Sequence, residues 1–216
     1  MKKFFLVLLT GLLLVGCNSN EPADDPTLLD ENFDICSVMD DAEFKAFCLK
    51  NFDTDGDGKL SFIEGISITE IDVSGAFGKN TTGTIKSLKG IEYFSALTHL
   101  DCSHNQLSSL DVSINTALTY LDCSNNQLSS LDVSTNTALT SLNCYKNQLT
   151  VLDVSTKKAL KWLNCYNNQL NILDVSNNTE LTYLDCRYNP LQTLYIKTGQ
   201  TIENLSKPDE TKIEYK

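Results

Sequence analysis

Histidine is nearly absent from this chain, with two residues in 216. No Ser/His/Asp set, no zinc-ligand spacing and no Gly-rich phosphate loop can be assembled from the sequence, so an enzyme is not expected. Basic residues are also scarce: 17 Lys and Arg face 28 Asp and Glu, giving a formal charge of −11. Nucleic-acid binding needs clustered Lys and Arg to neutralise phosphates, and this balance argues against it. A membrane-spanning run is missing too. The apolar stretch at the start, Phe4 to Val15, is too short to cross a bilayer comfortably.

That stretch follows Lys2 and Lys3 and ends in Leu14-Val15-Gly16-Cys17, the layout of an export signal. The last four residues resemble a bacterial lipobox, which implies cleavage before Cys17 and attachment of lipid to it. Residues 1–16 then form the leader and 17–34 a polar, acidic, Pro-bearing tether. Several acyl chains hold more firmly than one, so contact with the membrane is expected through this anchor only. Asn18 follows the lipid-bearing Cys, and no Asp stands there to resemble an inner-membrane retention signal. The outer membrane is therefore expected, with the cell surface favoured and the orientation left open.

What the chain has in quantity is one phrase. LTYLDCSNNQLSSLDVSTNTA, Leu118 to Ala138, is preceded by a close copy at Leu97 and followed by others from Leu139, Leu160 and Leu181. A period of 21 with leucines in register is the mark of a solenoid. In each half of the phrase apolar residues alternate as on a strand (Leu118, Leu121, Cys123, then Leu128, Leu131, Val133), so both walls read as extended. Stacked at about 4.8 Å, five coils would span roughly 24 Å. Residues 67–96 read as an irregular capping coil, 97–196 as the repeats and 197–216 as a C-terminal cap and tail, since open solenoid ends expose core.

The phrase matches the leucine-rich repeat consensus, LxxLxCxxNxL, and short coils behind a helical cap resemble bacterial internalin-type surface proteins. With the lipobox, the closer resemblance is to exported leucine-rich repeat lipoproteins. The fold expected is mainly β, a leucine-rich repeat solenoid of 21-residue coils with a small helical, calcium-binding N-terminal cap. The resemblance implies a monomer that recognises a protein or carbohydrate ligand on its concave face. A structural envelope lipoprotein without a discrete ligand is the alternative.

Recurrent positions are architectural. Cys102, Cys123, Cys144, Cys165 and Cys186 point inward with the leucines, as small hydrophobes. Asn105, Asn126, Asn147, Asn168 and Asn189 are expected to satisfy backbone groups at a bend. A second asparagine column breaks at Lys157, which suggests a less demanding corner. Function is sought where the period varies. Aromatics gather toward the later repeats at Tyr145, Trp162, Tyr166, Tyr183 and Tyr188, interleaved with Asp and Asn. Such a surface suits a protein hot spot or sugar stacking, or merely shields the strands.

The cap, residues 35–66, carries one further signal. A helix over 41–52, with Asp40 as N-cap, runs into DTDGDGKLSFIE, Asp53 to Glu64. This has EF-hand spacing. Asp53, Asp55 and Asp57 supply alternate carboxylates, Gly58 the turn, Lys59 a backbone carbonyl, Ser61 a water-mediated position and Glu64 a bidentate carboxylate for calcium. A short turn and a strand are expected after Gly65, so the ion would clamp the cap to the first coil. Cys36 and Cys48 flank the start of the helix and could form a disulfide, or Cys48 could be a buried helix residue.

Overall fold

The computed structural model describes residues 33–77 and 83–216. The leader, Cys17 and almost all of the tether lie outside the described residues. No helix among the described residues is long and apolar enough to cross a membrane.

Leucines recurring every 21 residues impose a stack in which each coil lays one short strand beside the last. The strands are β1 (Glu70–Asp72), β2 (His99–Asp101), β3 (Tyr120–Asp122), β4 (Ser141–Asn143), β5 (Trp162–Asn164), β6 (Ile172–Asp174), β7 (Tyr183–Asp185), β8 (Thr193–Ile196), β9 (Asn204–Ser206) and β10 (Lys212–Tyr215). Seven form one parallel sheet, β1-β2-β3-β4-β5-β7-β9. Its register aligns Ile71, Leu100, Leu121, Leu142, Leu163, Leu184 and Leu205. Together with the five cysteines of the column and the second-wall Leu and Val residues they make one continuous core.

The second wall departs from expectation. Only its C-terminal part is a sheet, β6-β8-β10, all parallel. The corresponding residues of earlier coils, around Leu110, Leu131 and Leu152, are irregular. Composition accounts for the first two of these: they carry Ser108-Ser109 and Ser129-Ser130, whereas the later coils carry Ile172, Thr193, Tyr195 and Ile196, which prefer a pleated surface. Thr150-Val151 share that preference and are irregular all the same.

Two internal ladders satisfy the bends. At the first, each asparagine donates to two coils at once. Asn147 Nδ2 reaches the Cys123 and Cys144 carbonyls at 3.0 and 3.2 Å, and its Oδ1 accepts from the Leu128 N–H at 2.9 Å. The Asp-Val-Ser signature makes an Asx turn, as where Asp153 Oδ1 accepts from the Ser155 N–H at 2.8 Å.

The second ladder holds Asn115, Asn136 and Asn178, with Lys157 in the third place. That corner is no less demanding, because Lys157 is fully buried. Asn136 Nδ2 donates to the Val112 and Asn115 carbonyls, both at 2.9 Å, but the Lys157 amine reaches Ser134 O at 3.3 Å and the Thr156 hydroxyl instead. Burial lowers the Lys157 pKa. Lys157→Asn restores the ladder bonds toward Val133 and Asn136 and frees a buried cation. Chemical denaturation is expected to show a gain of about 1 kcal/mol.

The N-terminal cap is stitched on by carboxylates. Helix α1 (Ala42–Phe52) is capped by Asp41, not Asp40: Oδ1 accepts from the Glu43 and Phe44 N–H groups, and Oδ2 from Lys86 N at 2.8 Å in the first coil. Phe44 and Cys48 are buried, and Phe52 packs edge-on against Phe94. Gly90 (φ 103°) admits no side chain, since a Cβ would lie 2.8 Å from Met39. The acidic loop ends in a one-turn helix, α2 (Phe62–Ile66), and the turn and strand expected after Gly65 follow at Ser67 and β1. Ser61 and Glu64 form a capping box there, and that local bond set wins over the glycine at position 65.

Candidate functional site

In a horseshoe-shaped repeat the long sheet lines the concave side. Outward residues at its first strand position are His99, Tyr120, Ser141, Trp162, Tyr183 and Asn204, in lateral register. Two ring pairs result. Trp162 and Tyr183 stack at 5.0 Å between centroids and 11° between planes; His99 and Tyr120 at 5.7 Å and 16°. Burial and the Asp122, Asp101 and Asp72 carboxylates push the Tyr120 phenol up to about 12.

Of the five aromatics singled out by sequence, four fall into two pairs. Trp162 and Tyr183 form the stack just described. Tyr166 and Tyr188 approach at 4.8 Å, tilted by 52°, and the Arg187 guanidinium lies 5.7 Å from the Tyr166 ring. Tyr145 stands apart, its hydroxyl 3.5 Å from His104 Nε2 and its ring under the Lys146 amine. The His99–Tyr120 pair is the site feature that clustering of aromatics in the sequence does not reveal; lateral register does.

Tyr188 belongs to a column with a backbone constraint. His104, Asn125, Lys146, Asn167 and Tyr188 all have φ between 51° and 56°. Asn tolerates this left-handed region, and a bulky ring there is uncommon. Two asparagines among five were the signal available in the sequence. Tyr188 nevertheless leaves 68% of its surface exposed.

Between the rings and the corner runs a polar column, Asp72, Asp101, Asp122, Asn143, Asn164 and Asp185. Each of the six accepts from the N–H two residues on, as Asp122 does from Ser124 at 2.9 Å. Asn143 Nδ2 donates to Asp122 Oδ2 at 2.7 Å, and Asp185 pairs with Arg187 at 2.7 Å. Burial raises the Asp101 pKa, helped by Asp122 and Asp72 and opposed by bonds from Ser103. The N-terminal half of this face is therefore acidic, and a cation or hydrogen-bond donor is the complement it can accept.

At the cap, Asp53, Asp55 and Asp57 bring one carboxylate oxygen each within 4.8 Å of one another. Loop N–H groups aim them: Gly58 N donates to Asp53 Oδ2, Asp57 N to Asp55 Oδ1 and Lys59 N to Asp57 Oδ1. Three gathered hard oxygens fit a divalent cation such as calcium. Glu64 is placed differently. Its Oε1 accepts from the Thr54 N–H and hydroxyl, both at 2.7 Å, and its Oε2 from Ser61 at 2.9 and 2.8 Å. Burial pushes the Glu64 pKa up, but those four bonds outweigh it and hold it near 2. The Ser61 hydroxyl is engaged in the same box, and Lys59 contributes its backbone to the loop.

Cys36 and Cys48 are both buried free thiols. Burial pushes both upward, Cys36 to about 11, and each thiol is close enough for Cys36 to raise Cys48 further. The cysteine column is fully buried with raised thiol pKa values, which removes it as a source of thiolate nucleophiles.

Residues 95–136 match the family model described as leucine-rich repeats, in two copies. The chain matches none of the curated proteins. Among solved structures it is similar to the functional domain of InlJ from Listeria monocytogenes, described as including a cysteine ladder. Identity is 29% and the TM-score 0.65, over 84% of this chain and 48% of that one. The chain thus spans about half the length of that relative. Internalin C2 from Listeria monocytogenes shares the fold at 17% identity and TM-score 0.56, over 84% and 96% of the two chains. A leucine-rich repeat protein from Leptospira interrogans does so at 22% and 0.50, over 71% and 45%.

Proposed function

We propose that this leucine-rich repeat solenoid is a non-enzymatic recognition protein of the bacterial cell surface. In this reading a lipid on Cys17 holds it at the outer membrane, and the long sheet's outward face takes a protein or carbohydrate ligand. The observation that carries the reading is the presentation of ring pairs on one face. Stacked, half-exposed aromatics lose little side-chain freedom on binding and supply large contact areas. Tyr188 adds weight. A ring kept in a left-handed conformation costs on the order of 1 kcal/mol and buries little, which favours selection for contact over shielding. The same fact speaks against a purely structural lipoprotein.

Calcium enters as a clamp on the cap. Asp53, Asp55 and Asp57 would hold the ion with the Lys59 carbonyl, and Ser61 would act through water. Glu64 would exchange its bonds to Thr54 and Ser61 for a bidentate contact. The cation supplies neutralisation of the three crowded carboxylates, and the chain's own work is to aim them.

Residues 18–216 displayed on glycan and extracellular-protein arrays should capture at least one ligand class. The double variant Trp162→Ala/Tyr166→Ala should lose capture by tenfold or more, about 1.4 kcal/mol. Unchanged capture would remove the site assignment, and resistance of the protein to protease shaving of intact cells would remove the surface placement.

A further inference from the structure

We propose that the position of Ser141 is a slot for one pyranose ring of a neutral glycan, walled by Tyr120 and Trp162. The inference rests on the recognition reading above and names its ligand class. The first outward column runs His99, Tyr120, Ser141, Trp162, Tyr183, so four rings are interrupted by one small residue. Both ring pairs stack nearly parallel, with the centroid spacings of adjacent strands. Ring faces in this column therefore look along the solenoid axis. The Tyr120 face turned away from His99 and the Trp162 face turned away from Tyr183 both look toward Ser141.

Two strand steps separate those faces by about 9.6 Å. A ring in van der Waals contact on both sides needs about 3.5–4 Å on each. The interval accepts one ring and is too narrow for two. Ser141 is half-buried and, among the described residues, its hydroxyl has no hydrogen-bond partner.

The floor decides between a sugar and an aromatic side chain. Asp122, Asn143 and Asn164 lie two residues along the same strands. Asn143 donates to Asp122, and the Asn164 oxygen accepts from Tyr166 N at 3.1 Å, so the Asn164 amide is left to donate. The free Asn164 amide and the unpaired Ser141 hydroxyl, beside two apolar ring faces, match the hydroxyls and C–H faces of a pyranose. A Phe or Tyr ring would cover those two groups without partners. The acidic column disfavours uronic or sialic acids, so the glycan is neutral.

Trp162 is the single tryptophan of the chain, so its fluorescence reports on one wall of the slot. The full chain is titrated with neutral oligosaccharides of glucose, N-acetylglucosamine, mannose and galactose up to about 10 mM, enough to reveal millimolar affinity. At least one series should give a saturable change in Trp162 emission. Ser141→Tyr, which completes the column, should keep the melting temperature and weaken that sugar tenfold or more. Tyr120→Ala, which removes the other wall without filling the slot, should weaken it likewise. No response to any sugar, or a response that Ser141→Tyr leaves intact, overturns the slot. A tyrosine-rich peptide that binds where no sugar does also overturns it, while leaving recognition by this face standing.

Discussion

Asn147→Ala should lower the unfolding free energy by about 2 kcal/mol in urea denaturation. The side chain is 9% exposed and makes three bonds, to the Cys123 and Cys144 carbonyls and from the Leu128 N–H. Truncation leaves the Leu128 N–H unsatisfied, at about 1–3 kcal/mol, while the Cys123 and Cys144 carbonyls keep their bonds from Asn126 and Asn168. No water can be expected to enter a bend lined by Cys123, Leu128 and Cys144, all fully buried. Asn147→Asp separates the two roles. It keeps the acceptor for Leu128 but turns a carboxylate oxygen on two carbonyls, so it should be at least as damaging near neutral pH. A loss under 1 kcal/mol for Ala would mean that the ladder contributes little.

The second large effect concerns the proposed calcium. Extracellular loops of this type bind on the order of 0.1–1 mM, so 10 mM calcium should stabilise the folded cap by about 1.4–2.7 kcal/mol. Melting with calcium and with chelator should differ accordingly, and Asp53→Ala or Asp57→Ala should abolish the difference. Equal melting curves for the unaltered chain would end the clamp. Without calcium, acid gives a control. Glu64 is held near 2, below its ordinary value of 4.5, so its contribution is complete above 4.5 and is lost as pH falls toward 2. Glu64→Gln should flatten that limb of the stability profile.

Most of the solenoid was legible because its information is periodic. Leu121, Cys123 and Asn126 recur at fixed spacing, and each recurrence repeats the same inward direction. The inward cysteine column and the asparagine bend follow from that alone. The second wall was not legible from period, because equivalent places hold pairs as different as Ser129-Ser130 and Asn171-Ile172, and Thr150-Val151 forms no strand despite its preference for one. The Asp41 cap and the α2 turn depend on which of several local acceptors wins, and neighbouring Asp40 and Asp41 carry the same chemistry. Lys157 misled for a different reason. A long side chain can be buried by bending its amine to a carbonyl that spacing does not predict. At the site, the clustered aromatics were visible in the sequence. The gap at Ser141 acquires meaning only when five strands are laid side by side.

The confinement of β6-β8-β10 to one end has a mechanical consequence. Later coils are fastened along both walls by strand pairing, whereas earlier ones are bonded along the long sheet and, across the second wall, by one backbone bond per coil such as Gln148 N to Leu128 O at 2.8 Å and by side chains such as Thr135 and Thr156. Ties between coils therefore grow denser along the axis. Trp162 rides on the coil that contributes β6 and is held by β8, and Tyr120 on a coil whose second wall has a single backbone tie to each neighbour.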